Sequence, residues 1–213
     1  MNYKIYDGAK IIKKENLSIG DYSQIDDFVF FNCGEKSILG SFVHISSFTS
    51  IIGGGEFYMD HFSGLSAGCR IITGSDDFMG GGGGGFWRAW PSAGTSTPFS
   101  KERDGELTNP TVPSKYTNVK KSSVRIGKHA ILGTNVTVLP GVTIGDGVAV
   151  GAGAIVRKNL EPWTIYVGVD CKPLKRRSQD KILELEKHLV AEFNLDLCPI
   201  IPSPNLPKPK ETR

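Results

Sequence analysis

No window of 18 or more residues in this chain is continuously apolar, so nothing in it reads as a transmembrane helix. The opening MNYKIYDGAK lacks the apolar core of a secretory signal, and the expectation is a soluble, cytoplasmic protein. Cysteine is scarce. Cys33, Cys69, Cys171 and Cys198 are scattered with no CxxC spacing, which reads as reduced, structural thiols rather than a disulfide framework. Excess charge is missing too. A formal net charge of +3 over 213 residues is too slight to argue for a nucleic-acid partner, and the length suits one domain with appendages.

Glycine is abundant, with 26 residues, and a six-residue period accompanies it. From Ile126 to Ile155 the chain reads IGKHAI, LGTNVT, VLPGVT, IGDGVA, VGAGAI, opened by Ile126, Leu132, Val138, Ile144 and Val150. The fifth position of each block is small or β-branched: Ala130, Val136, Val142, Val148 and Ala154. That period fits neither a helix nor a hairpin sheet. It fits a chain that turns a corner every six residues, three corners to a coil, in a triangular parallel β-helix. The aliphatic residues point into the prism and stack on their equivalents in adjacent coils. One inserted residue would turn an inward row outward, so the register is strict.

Looser hexads run from about residue 10 to 78, opened by Ile19, Ile25, Leu39, Ile45, Ile51, Met59, Leu65 and Ile71. Extra residues around Asn32–Ser37 and Gly53–Tyr58 read as bulged corners. Between about Met79 and Ser123 the period vanishes into an insertion with a six-glycine run, Gly80–Gly85, and an aromatic cluster of Phe86, Trp87 and Trp90. An insertion this long is expected to leave one corner and lie against something, or to be disordered in its glycine run. Residues 157–177 read as a cap with a basic finish, which closes a first domain of residues 1–177. Residues 178–198 are expected to hold an α-helix, with Ser178 as N-cap and Ile182, Leu183, Leu185, Leu189, Val190 and Phe193 at helical spacing. Residues 199–213, rich in proline, are expected to form a flexible tail.

The hexad run and its finish, Gly168-Val169-Asp170-Cys171-Lys172, resemble the hexapeptide-repeat acyltransferases over about residues 15–177. The likeness is to the bacterial sugar acetyltransferases, both the galactoside and maltose type and those that acetylate O-antigen or nucleotide-linked amino sugars. It implies a left-handed parallel β-helix and a homotrimer, with acetyl-CoA and the acceptor sugar meeting in grooves between neighbouring prisms. On the galactoside pattern Thr134 and Ala152 fall where the family contacts the pantetheine arm. They are eighteen residues apart, one full coil, and so share a corner. Arg157, Lys158, Lys172 and Lys175 fall on cap positions near the nucleotide end of the cofactor. Asp170 departs from the proline of many relatives and puts a negative charge near the phosphates.

Acyl transfer to a hydroxyl needs a base and donors for the oxyanion, whereas an amine need only be neutral. Galactoside-type enzymes carry their histidine in a TGHP segment. Here the segment is Thr73-Gly74-Ser75-Asp76-Asp77-Phe78, and Ser75 or Asp76 takes that place. The departure weakens the galactoside reading and favours an amino-sugar or O-antigen acceptor. His188 is expected on the helix surface, His129 at an outward structural or solvated position, and His61 at a corner. His44 is the strongest catalytic candidate: in amino-sugar acetyltransferases with a similar VH segment the matching histidine lies against the acetyl group. Asp76 is its candidate partner, and Ser46 and Asp77 are candidates for binding the acceptor. His44 and Asp76 are not separated by a whole number of coils, so they would meet only across a subunit seam. Three other readings stand beside this one: a non-catalytic β-helix scaffold, an acetyltransferase on a non-sugar molecule, and a zinc enzyme using converging histidines. For the last, His44 and His61 are about one coil apart, but no third histidine lies nearby in sequence. The expected ligand set is therefore acetyl-CoA and a sugar or nucleotide sugar, with no metal.

Overall fold

The computed structural model describes residues 2–76, 107–109, 111–198 and 200, and these form a three-sided parallel β-helix. The insertion residues Gly80–Gly85, Phe86, Trp87 and Trp90, the candidate Asp77, and the tail beyond residue 200 lie outside the described residues. The first face stacks Lys4–Ile5, Gln24–Ile25, His44–Ile45, Gly64–Leu65, Ile131–Leu132, Ala149–Val150 and Thr164–Val167. The second face stacks Lys10–Ile12, Phe30–Asn32, Ser50–Ile52, Arg70–Ile72, Thr137–Val138 and Ile155–Val156. The third face stacks Leu17–Ile19, Ser37–Leu39, Phe57–Met59, Val124–Ile126 and Thr143–Ile144. The coils begin at Lys4, somewhat earlier than the hexads suggest, because the first coil is only loosely hexameric.

The inward residues form three buried columns. Ile25, Ile45, Leu65, Leu132 and Val150 line the first face, Phe31, Ile51, Ile71, Val138 and Val156 the second, and Leu39, Met59, Ile126 and Ile144 the third. Burial of each such side chain contributes about 1.5–3 kcal/mol, which is what holds a solenoid of two- and three-residue strands together. Ile5, Ile25, Ile45 and Leu65 fall twenty residues apart, while Leu132 and Val150 fall eighteen apart. The two additional residues sit at the corner between the second and third faces, where Gly34, Gly53 and Gly54 take positive φ.

The long insertion leaves that same corner. The strands that flank and close it pair as an antiparallel arm, Gly74–Asp76 against Val119–Lys121, so regular structure extends further into it than the hexads indicate at its C-terminal end. Thr73 pins the exit. Its hydroxyl donates to the Ile52 carbonyl and accepts from the Gly55 amide, and its carbonyl accepts from the Ser122 amide. Beneath it Gly53, at φ 108°, has no room for a side chain: a Cβ there would lie 2.2 Å from the Gly74 amide nitrogen. The chain returns with Leu132 directly over Leu65, as though the insertion were absent.

A fourth column, of stacked rings, runs along the corner between the third and first faces. Tyr22, Phe42, Phe62 and His129 all take positive φ and stack ring on ring at 4.9, 5.0 and 5.1 Å. The left-handed conformation costs an L-residue roughly 1–2 kcal/mol. Parallel stacking of about 0.5–1.5 kcal/mol per pair, beyond the area buried, offsets it.

The C-terminal helix, α1 (Asp180–Glu192), lies along this ladder. It starts one residue later than expected: Gln179, not Ser178, is its N-cap, and no side chain caps it. Ile182, Glu186, Leu189 and Val190 are half-buried, whereas Leu183 and Leu185 face solvent. The ring of Phe193 meets Tyr22 edge-on at 5.4 Å. Glu186 accepts from Lys128 and, at 2.6 Å, from His129 Nε2. Burial by itself would raise the Glu186 carboxyl, but those hydrogen bonds outweigh it and hold the group below its ordinary value. A depressed carboxyl stabilises the fold above its unfolded pKa, about 4.3, and that contribution is lost as pH falls through the lower folded value. Glu186→Gln should therefore cost roughly 1–3 kcal/mol near neutral pH. The difference from wild type should fade only as pH falls through that lowered folded value, below which both side chains are uncharged. Thermal denaturation across pH checks this, and a difference that persists into acid would exclude the ion-paired anchor.

Candidate active site

His44 projects from the first face because its neighbour Ile45 points into the prism. Directly beneath it in the ladder is Gln24, and directly above it is Gly64. Gly64 has no side chain, and Ile131 Cδ1 from the next coil leans over it, 2.9 Å from where a Cβ would stand. The upper side of His44 thus faces a small apolar step. Its Nε2 lies 3.0 Å from Asp26 Oδ2, and Gln24 Nε2 donates to Asp26 Oδ1 at 2.7 Å. The His44 side chain is 49 % exposed and that of Asp26 22 %, so the pair lies at the surface of the prism. Ser46 follows on the same face, with its amide donating to the Leu65 carbonyl.

Further up the prism, Thr134 and Ala152 are exposed at the corner between the first and second faces. The Gly153 amide donates to the Thr134 carbonyl at 2.9 Å, which stacks these two positions one coil apart. Above them the strand Lys172–Arg176 runs antiparallel to Thr164–Val167 and leaves Lys172 and Lys175 exposed. Lys158 is exposed close by in sequence to Arg157, whose Nη1 lies 3.4 Å from Asp170 Oδ1. Asp170 therefore engages one of the cap cations. Two others serve the fold: Arg176 donates to the Pro162 carbonyl and the Thr164 hydroxyl, and Arg177 to the carbonyls of His129 and Gly147.

Asp76 stands elsewhere, on the arm at the corner between the second and third faces, and within one chain it is not brought to His44. His61 is a buried corner residue. It accepts from the Ser41 amide at Nδ1 and donates from Nε2 to the Cys198 carbonyl. His44 and His61 thus serve different partners, and among the described residues no three His, Cys, Asp or Glu side chains converge to hold a metal ion. Burial pushes the thiols of Cys33, Cys69 and Cys171 up to about 11, which makes them inert near neutral pH. Sequence reasoning missed Asp26 and Gln24. Coils of twenty residues rather than eighteen are what set Gln24 beneath His44.

Residues 123–158 match the family model described as bacterial transferase hexapeptide (six repeats). The chain is 34 % identical over 186 residues to the dTDP-4-amino-4,6-dideoxy-D-glucose acyltransferase of Escherichia coli, covering 87 % of this chain and 84 % of that protein. It belongs to the hexapeptide-repeat acyltransferases. Within them it falls in the sugar-acyltransferase branch, and it is an acyl-CoA-dependent enzyme. This acyltransferase also resembles AntD, an N-acyltransferase from Bacillus cereus solved in complex with dTDP and 3-hydroxybutyryl-CoA. The two share 34 % identity over 91 % of this chain and 89 % of AntD, with a TM-score of 0.70. A mutant AntD in complex with dTDP-4-amino-4,6-dideoxyglucose and Coenzyme A matches at 33 % identity over 90 % of each chain, again with a TM-score of 0.70. Among the described residues of the acyltransferase, no helix is long and apolar enough to cross a membrane.

Proposed function

We propose that this enzyme transfers an acetyl or other short acyl group from acyl-CoA to the amine of a dTDP-linked amino sugar, as a homotrimer in the cytoplasm. The observation that carries the reading is likeness over most of the chain to acyltransferases whose acceptors are dTDP-linked 4-amino sugars. The TGHP histidine of hydroxyl-acetylating relatives is replaced here by Ser75 or Asp76, which agrees with an amine acceptor.

The pantetheine arm runs past Ala152 and Thr134 towards His44, with the cofactor's phosphates against Arg157, Lys158, Lys172 and Lys175. The acyl carbon comes to rest beside His44, with its alkyl end on the step formed by Gly64 and Ile131. Ser46 contacts the acceptor, and Asp76 of the neighbouring prism holds the acceptor's amino group, which is neutral once its ammonium form has given one proton to water. The amine attacks the thioester carbonyl, the C–N bond forms, and the C–S bond breaks. His44 takes the proton that the nitrogen sheds and passes it to the departing thiolate. The products are the amide and free Coenzyme A.

The test is a thiol-release assay with acetyl-CoA and longer acyl-CoAs against dTDP-linked amino sugars, their hydroxyl counterparts and free sugars, with products identified by mass. Turnover confined to hydroxyl acceptors would overturn the reading.

The cap has its own test. A charge-assisted contact to phosphate contributes roughly 1–3 kcal/mol when well ordered. Combining Lys172→Ala with Lys175→Ala should weaken Coenzyme A binding by about tenfold or more with the fold intact. Unchanged affinity by calorimetry at low salt would remove these lysines from the site.

A further inference from the structure

We propose that Asp26 is a positioning residue of the acyl transfer: it fixes the tautomer of His44 so that Nδ1 is the atom that receives the proton, and Gln24 locks that arrangement. The inference rests on the proposed role of His44 as base. A carboxylate only accepts hydrogen bonds, so at 3.0 Å from Asp26 Oδ2 the His44 Nε2 must carry the ring proton. The neutral imidazole then presents a bare lone pair at Nδ1, which has no hydrogen-bond partner among the described residues.

The support beneath the pair is rigid. Gln24 and His44 are paired neighbours on adjacent coils, Ile25 and Ile45 anchor both strands in the core, and the Asp26 amide donates to the Ile45 carbonyl at 3.0 Å. The second carboxylate oxygen is held by Gln24 Nε2 at 2.7 Å. A hydrogen-bonded pair this exposed adds little to stability. What it sets is which ring nitrogen is free. The arrangement also gives His44 a carboxylate within its own chain, which leaves Asp76 for the acceptor.

The two hydrogen bonds make an unusual prediction about Asp26→Asn. Gln24 would still donate to the remaining oxygen, so the new amide nitrogen would face His44 Nε2. That nitrogen only donates, so Nε2 must accept, and the ring proton moves to Nδ1, where it blocks the base. In serine-protease triads the corresponding Asp→Asn change leaves geometry intact and costs about 10⁴ in kcat through the wrong tautomer. For this more exposed site a loss of at least about 10²-fold in kcat is expected, with little change in KM.

Asp26→Ala should be the milder change, because a released ring samples both tautomers. The double variant Gln24→Ala/Asp26→Asn should recover activity over Asp26→Asn alone, because the amide can then turn its oxygen towards His44. Nitrogen-15 NMR of the imidazole reads the tautomer directly, with Nε2–H expected in the wild type and Nδ1–H in Asp26→Asn. Nδ1–H in the wild type, no change of tautomer in Asp26→Asn, or no recovery in the double variant would overturn the proposal. A changed tautomer with undiminished turnover would also overturn Asp26's part in the reaction. If His44→Ala were active as well, the failure would lie in the base assignment rather than in the hydrogen-bonded pair.

Discussion

His44→Ala should lower kcat by about 10²–10⁴, the usual contribution of a positioned base. Acyl-CoA affinity should change far less. Thr134 and Ala152 stand two and three coils above His44, roughly 10 and 14 Å along the axis at about 4.8 Å per coil. The loss should also depend on pH. An amine acceptor becomes reactive once it sheds its proton, so raising the pH should restore part of the rate without the imidazole. A hydroxyl acceptor gains nothing comparable, and its loss should sit near the upper end of that range. The seam is separable from the base. If Asp76 reaches the acceptor from a neighbouring chain, mixing inactive His44→Ala with inactive Asp76→Asn and allowing subunits to exchange should restore some activity, since some seams then carry both native residues. Full turnover by His44→Ala alone would sink the base assignment, and verified mixed oligomers without activity would sink the shared seam.

Phe57→Ala should be the most damaging of the simple core truncations. Its ring is fully buried and meets Phe31 edge-on, with centroids 5.8 Å apart and planes at 82°. Phe31 and Phe57 belong to successive coils that meet at the bulged corner, so neither neighbour can close over the vacated volume. The expected cost is about 3–5 kcal/mol. For a chain of this size that is a fall of roughly 6–20 °C in thermal midpoint. Leu185→Ala on the solvent side of α1, where the side chain is 56 % exposed, should stay within about 0.5 kcal/mol of wild type. Equal midpoints for the two variants would mean that the corner repacks freely.

The hexads alone predicted the inward columns, and Ile126, Leu132, Val138, Ile144 and Val150 are all buried as the register requires. This was legible because the rule is local: a fixed period between corners decides which side chain points inward, whatever the rest of the chain does. The helix was legible in the same way, from 3.6-residue spacing, although the side it docks was not. Ile182, Leu189 and Val190 turn towards the prism while Leu183 and Leu185 turn away, because the ladder of Tyr22, Phe42, Phe62 and His129 selects the face. The ladder itself was hidden, since nothing in the local sequence announces aromatic residues at positive φ. Only rings stacked from coils twenty and more residues apart offset that backbone cost. The neighbours of His44 were hidden for a related reason. Hexad counting places residues on faces, but whether Gln24 or some other residue lies beneath His44 depends on how many residues the bulged corners absorb. Asp26 comes within hydrogen-bonding reach of His44, and Asp76 does not, because contacts between coils follow the ladder of strand pairing, and that ladder exists only once the whole prism has closed.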